Sequence, residues 1–141
     1  MWIGSRKYDN TVESGERATE SSGTPQRVRN YRDLQLWRKA MLLARQVYEA
    51  SAAFPAEERF GLTAQIRRSA VSVASNIAEG HGRGTDRDFA HFLHVARGSL
   101  AELDTQASLA QMLGLLAEAD FPECFVENMA CNPALRLRPG P

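Results

Sequence analysis

The stretch QIRRSAVSVASNIAEGHGR, residues 65–83, decides the fold, because two helical stripes run through it side by side. Apolar residues recur at steps of four and three, the spacing of a buried helix face, at Leu62, Ile66, Ala70, Val73 and Ile77. A polar stripe has the same steps and consists of Gln65, Ser69, Ser72, Asn76, Glu79 and Arg83. At about 100° per residue, the two stripes lie roughly a quarter-turn apart. The stretch therefore predicts a helix that packs closely against a neighbour, without saying which neighbour.

Two more helices are predicted around this one, which itself should span residues 60–78 and end at GHGRG, residues 80–84. The first should span 33–53 and end before Pro55, with a core face at Leu34, Trp37, Met41, Ala44 and Tyr48. The third should start at Thr85-x-x-Asp88, which is close to a capping box. Its core face would be Phe89, Leu93, Ala96, Leu100, Leu103, Ala107, Ala110 and Gly114. No segment alternates with period two, so we expect an all-α antiparallel helical bundle with three long helices and a short or missing fourth.

The chain divides into three parts by composition. Residues 1–30 read as a disordered leader, 31–120 as the helical bundle domain, and 121–141 as an atypical, mostly irregular tail with two cysteines. Cys124 and Cys131 do not form a C-x-x-C pair, which favours reduced thiols. No apolar run has the roughly 20 residues that cross a membrane, and no signal peptide is evident. We therefore expect a cytoplasmic protein without membrane contact.

Three blocks carry a family resemblance: DLQLWRKAMLLARQVY, FPAEERFGLTAQIRRSAVSVASNIAEGHGR and FLHVARGSLAELDTQ. They resemble the four-helix bundle proteins encoded in intervening sequences of bacterial 23S rRNA genes. The resemblance implies an antiparallel bundle that assembles into a homo-pentamer. A related branch, the accessory proteins of diversity-generating retroelements, forms basic pentameric barrels that bind a reverse transcriptase and nucleic acid.

This chain departs from the family pattern at two places. Ala74 stands where the family often has proline, which is a mild change. After Leu113–Leu116 the family continues into a fourth amphipathic helix, whereas FPECFVENMACNPALRLRPGP lacks that pattern and is typical of a frameshifted or truncated ending. Without that helix, the core face of the third helix would form an exposed apolar strip, and the chain would be marginally stable.

Two groups of side chains are candidate functional residues. Five arginines could contact RNA or DNA phosphates, and they are Arg67, Arg68, Arg83, Arg87 and Arg97. The alternative is a solvated face, paired with Glu57, Glu58, Asp86, Asp88 and Glu102. A polar helix-packing network is predicted for Gln65, Ser69, Ser72, Asn76, Glu79 and Ser99. Asn76 should be its most buried member, and Gly98-Ser99 should permit close helix approach.

Signals for catalysis are weak. Asp88, His91 and His94 give half of a di-iron pattern without the second half, so neither a metal nor another cofactor is expected. GHGRG follows a helix rather than a strand, which favours a tight interhelix turn over a phosphate loop. The serines have no evident activating base. We therefore expect a non-catalytic oligomeric scaffold that can bind RNA or DNA. The alternatives are a protein-protein adaptor without nucleic-acid contact and, more remotely, a small metal-dependent enzyme.

The zero net charge limits how the chain could bind nucleic acid. It has 17 basic and 17 acidic residues. A sequence-independent grip on nucleic acid comes from Lys and Arg that neutralise phosphates. Binding would therefore need a local basic patch or one built by oligomer symmetry.

Overall fold

The computed structural model describes residues 28–120, and within them the protein is a bundle of three α-helices without strands. The helices are α1, Gln35–Ser51, α2, Leu62–Gly82, and α3, Asp86–Met112. Short 3-10 turns occupy Tyr31–Asp33, Ala56–Glu58 and Glu118–Asp120. The all-α antiparallel prediction is thus confirmed for these residues. The tail and nearly all of the predicted leader lie outside them, and so does any fourth helix.

Side chains and one glycine set the helix ends. The Glu58 carboxylate accepts a hydrogen bond from the Leu62 backbone N–H at 2.9 Å and so caps α2. Thr85 Oγ1 accepts from the Asp88 N–H at 3.1 Å, which confirms the helix start predicted for α3. Gly114, with φ of 72°, follows the end of α3 in the left-handed conformation typical of helix C-termini.

The GHGRG segment differs from its prediction as an interhelix turn. Helix α2 does not end at Ala78 but continues through Gly82, and the chain reverses at Gly84, where φ is 79°. Gly80 is buried, and a Cβ atom there would lie 2.6 Å from the Phe92 Cβ. The glycine inside α2 therefore allows α3 to approach closely, which outweighs its low helix propensity.

The core lies where α2 packs against both α1 and α3. Its largest fully buried side chains come from all three helices: Leu43, Val47, Val73, Ile77, Leu100 and Leu103. The expected exposed strip on α3 is wrong, because Leu93, Leu100 and Leu103 are only 4%, 2% and 0% exposed and Phe89 is half-buried. Marginal stability or heterogeneous oligomers stay a prediction.

The predicted core face of α1 is wrong at Met41 and Tyr48, whereas Leu34 and Trp37 are partly buried against the core and Ala44 is part of it. Met41 and Tyr48 are 46% and 47% exposed, and only Ala44 of that face is fully buried. An inner row of α1 lies in the core, and each of its members comes one residue before a position of the predicted face. It consists of Leu36, Ala40, Leu43 and Val47. Both rows repeat at steps of four and three and lie about 100° apart, so periodicity alone cannot choose between them.

Candidate association and nucleic-acid surfaces

A small polar network joins α2 to α3. The Ser72 and Ser99 hydroxyl oxygens lie 2.8 Å apart and share a hydrogen bond. The Asn76 side-chain amide donates to the Ser72 carbonyl at 2.8 Å and to its hydroxyl at 3.0 Å. These three side chains form one connected contact, in which partly buried polar groups satisfy each other.

The other predicted members of the network lie elsewhere. Ser69 is buried at 3% exposure, so the prediction that Asn76, which is half-buried, is the most buried member is wrong. Gln65 and Glu79 are exposed, and Glu79 pairs with Arg83. Gly98 is wrong as the point of close approach, because no atom lies within 4 Å of a Cβ built on it.

Two of the five candidate arginines are tied to neighbours in the same chain. The Arg67 Nε donates to Ser51 Oγ at 2.7 Å, and its guanidinium lies over the Tyr48 ring at 4.6 Å. Arg67 thus fastens α2 to α1. Arg83 donates to Glu79 Oε1 at 2.8 Å, and this hydrogen bond raises the pKa of the guanidinium above its ordinary value.

The other three arginines, Arg68, Arg87 and Arg97, are exposed and form no ion pair within residues 28–120. They do not share one face. At about 100° per residue, Arg97 points about 160° away from Ser99, which marks the side of α3 that contacts α2. At about 1.5 Å per residue, Arg68 and Arg83 lie about 22 Å apart along α2. A single chain therefore offers dispersed cations rather than one basic patch.

The acids expected to pair with these arginines partly serve other roles. Glu58 caps α2, and Asp88 accepts a 2.6 Å hydrogen bond from Thr85 Oγ1. The surface ion pairs seen instead are local ones, Arg38 with Asp33, Arg45 with Glu49 and Arg83 with Glu79. Such exposed pairs contribute little to stability.

A groove between α1 and α2 was missed by the sequence analysis. It is a shallow, open depression of about 450 Å³ and is lined by Tyr48 of α1 and by Ala64, Arg67, Arg68, Val71, Ser72 and Ser75 of α2. Val71 is 43% exposed at its floor. The sequence does contain a regular spacing of four, three and four at Ala64, Arg68, Val71 and Ser75. This row is hard to recognise as a packing face, because it mixes small, charged and apolar side chains.

A second row on α3 was also missed. We call it the outer row of α3, and all its members are exposed at steps of four and three: His91, Val95, Gly98, Glu102, Thr105, Leu109 and Met112. Val95, Leu109 and Met112 are 40%, 45% and 84% exposed. Apolar side chains at this spacing form a helical packing face, yet nothing in the described part of the chain covers it.

Within residues 28–120, no group of three His, Cys, Asp or Glu side chains converges in a way that could hold a metal ion. The His91 ring lies edge-on to Phe92, with centroids 5.3 Å apart. No described helix is both long and apolar enough to cross a bilayer.

The chain was compared with models of known protein families. A model described as 23S rRNA-intervening sequence protein matches residues 32–132, which is most of the chain. The chain belongs to this family. The match spans all three helices and reaches into the predicted tail. The family is not a known enzyme family. No curated protein matches the chain significantly.

Proposed function

We propose that this intervening-sequence protein is a non-catalytic scaffold that self-associates. The observation that carries this proposal is the pair of uncovered packing surfaces, the α1–α2 groove and the outer row of α3. Both repeat with the spacing of buried helix faces while their apolar members Tyr48, Val71, Val95 and Leu109 remain 40–47% exposed. Exposed apolar side chains that recur along one helix face are suited to packing against another helix.

The groove is preformed, which supports a binding role. Arg67 holds Tyr48 in place by stacking over its ring and by its hydrogen bond to Ser51. A partner would therefore meet a Tyr48 ring that is already placed by a contact within the chain. Preorganisation of this kind lowers the free-energy cost of association.

Nucleic-acid binding is the second part of the proposal, and Arg87 and Arg97 support it. Both are exposed, lack ion pairs among the described residues and lie outside the groove. A symmetric assembly would repeat them around its surface, although each chain has zero net charge. We also propose a cytoplasmic location, which the predicted reduced thiols would favour. A protein-protein adaptor without nucleic-acid contact is the alternative.

Light scattering coupled to size-exclusion chromatography tests the scaffold. We expect one discrete species larger than a monomer, and the family resemblance suggests five chains. A monomer at every concentration up to roughly 100 μM, the weak end of specific association, would reject self-association and leave the adaptor.

Fluorescence anisotropy with structured RNA and duplex DNA tests the nucleic-acid part. Affinity should fall steeply with salt, because phosphate contacts release counterions. Arg87→Gln with Arg97→Gln should reduce both the affinity and the salt slope, whereas Lys39→Gln on the exposed side of α1 is the control. No binding to either nucleic acid at low salt would favour the adaptor.

A further inference from the structure

We propose that the outer row of α3 in one copy docks into the α1–α2 groove of a second copy, where Glu102 pairs with Arg68. This inference rests on the proposed self-association and names the surfaces that perform it. The second copy is chosen because one chain carries both a groove and a row that fits it.

The groove supplies the basic half of the contact. Arg68 is exposed and has no ion pair among the described residues, and Arg67 contributes a second guanidinium to the groove wall. No acidic side chain lines the groove. Ala64 and Val71 flank Arg68 one helical turn away on either side, so its charge lies within an apolar floor.

The outer row of α3 supplies the acidic half. Glu102 is exposed and makes no ion pair or hydrogen bond with any described residue. Gly98 precedes it by one turn, and the space around that glycine is open. A row with a gap at Gly98 and apolar side chains at Val95 and Leu109 suits insertion between two helices, as knobs fit into holes.

Charge complementarity selects this pairing over two identical faces. Two copies of the groove would place Arg68 against Arg68, and two outer rows would place Glu102 against Glu102. Like charges that face each other across an interface oppose association. The groove and the outer row together bring opposite charges into contact.

Charge reversal at the two positions tests the inference by light scattering. Arg68→Glu alone and Glu102→Arg alone should each weaken assembly at least about tenfold. Mixing the two single variants in equal amounts should restore assembly in part, because opposite charges meet wherever unlike chains are neighbours, whereas a ring of five chains keeps at least one like-charge contact. The double variant should also assemble. Lys39→Glu, on the exposed side of α1, is the matched control and should assemble normally.

In the mixture, each chain still carries two like charges at positions 68 and 102. Any gain in assembly must therefore come from contacts between chains. Circular dichroism checks folding. If a charge-reversal variant fails to fold, the Gln substitution at the same position, Arg68→Gln or Glu102→Gln, takes its place. Normal assembly of both single variants, or no rescue in the mixture, would overturn the groove contact while self-association stands. A monomeric wild-type chain would overturn both.

Discussion

The inner row of α1 and its outer row, the predicted face Leu34, Trp37, Met41, Ala44 and Tyr48, have the same spacing but differ in burial, most clearly at Met41 and Tyr48. Leu43 and Val47 of the inner row are 0% and 1% exposed, whereas Met41 and Tyr48 of the outer row are about half exposed. Periodicity therefore identifies helix faces suited to packing. It does not say whether the partner belongs to the same chain.

Helix α3 repeats this contrast over a greater length. Its inner row, which includes Leu93, Leu100 and Leu103, fills the core, and its outer row is open to solvent. The position of α2 explains why the inner rows are more buried than the outer rows, because α2 covers only one side of α1 and one side of α3. We interpret the uncovered sides as surfaces for other chains.

The sharpest test of the contrast uses two adjacent leucines. Leu43→Ala should lower the free energy of unfolding by about 2–5 kcal/mol, because it leaves a cavity at a fully buried site. Leu42, which is 50% exposed, is the matched control. Leu42→Ala should change the free energy of unfolding by at most about 0.5 kcal/mol. Chemical denaturation measures both. Equal losses would show that the assignment of inner and outer rows is wrong.

Two helical glycines should respond in opposite directions. Gly80→Ala places a methyl group against Phe92, and the overpacking should lower stability by about 1–3 kcal/mol. Gly98→Ala meets no atom and should raise stability by up to about 1 kcal/mol through helix propensity. Thermal melts of dilute protein measure both shifts. A stabilising Gly80→Ala would contradict the close approach of α2 and α3.

The polar network should give a smaller effect. Asn76→Leu removes the amide that donates to Ser72, so we expect a loss of about 1 kcal/mol. Glu79→Gln changes only a surface pair and should cost less than about 0.5 kcal/mol. Urea titration measures the free energy of unfolding of both variants. Equal stability of the two variants would mean that the network does not help to join α2 and α3.

The smallest effect on the single chain is expected in the outer row of α3. Leu109→Ser should change unfolding in dilute solution by no more than about 0.5 kcal/mol, because Leu109 is already 45% exposed. The same substitution should weaken assembly, which sedimentation velocity measures. A large loss of stability in dilute protein would place Leu109 inside the chain's own core.

The sequence was sufficient for the three long helices of residues 28–120, the capping of α3 and the presence of Ser72, Asn76 and Ser99 in a polar helix-packing network. These depend on local spacing and on hydrogen-bonding groups that only a helix places together. The core face of α1 was not predictable from spacing, because Met41 and Leu43 belong to rows of similar apolar character. The choice between them depends on where α2 lies, which is a tertiary property.

Other parts of the site depended on shape. Gly80 looks like a helix breaker in sequence, and only its distance from Phe92 shows that it is a packing position. Arg67 and Arg68 are adjacent and chemically identical, yet one is held by Ser51 and Tyr48 while the other is free of ion pairs within residues 28–120. The different roles of the two arginines therefore follow from their contacts with other helices, which the sequence does not show.

Hydroxyl-radical footprinting across a concentration series tests most directly the central claim that the outer rows are covered between chains. We predict that Met41, Tyr48 and Leu109 become protected as concentration rises. Phe60, which is 87% exposed outside both surfaces, should stay equally reactive and is the internal control. Unchanged reactivity at all three positions in an assembled protein would contradict the account.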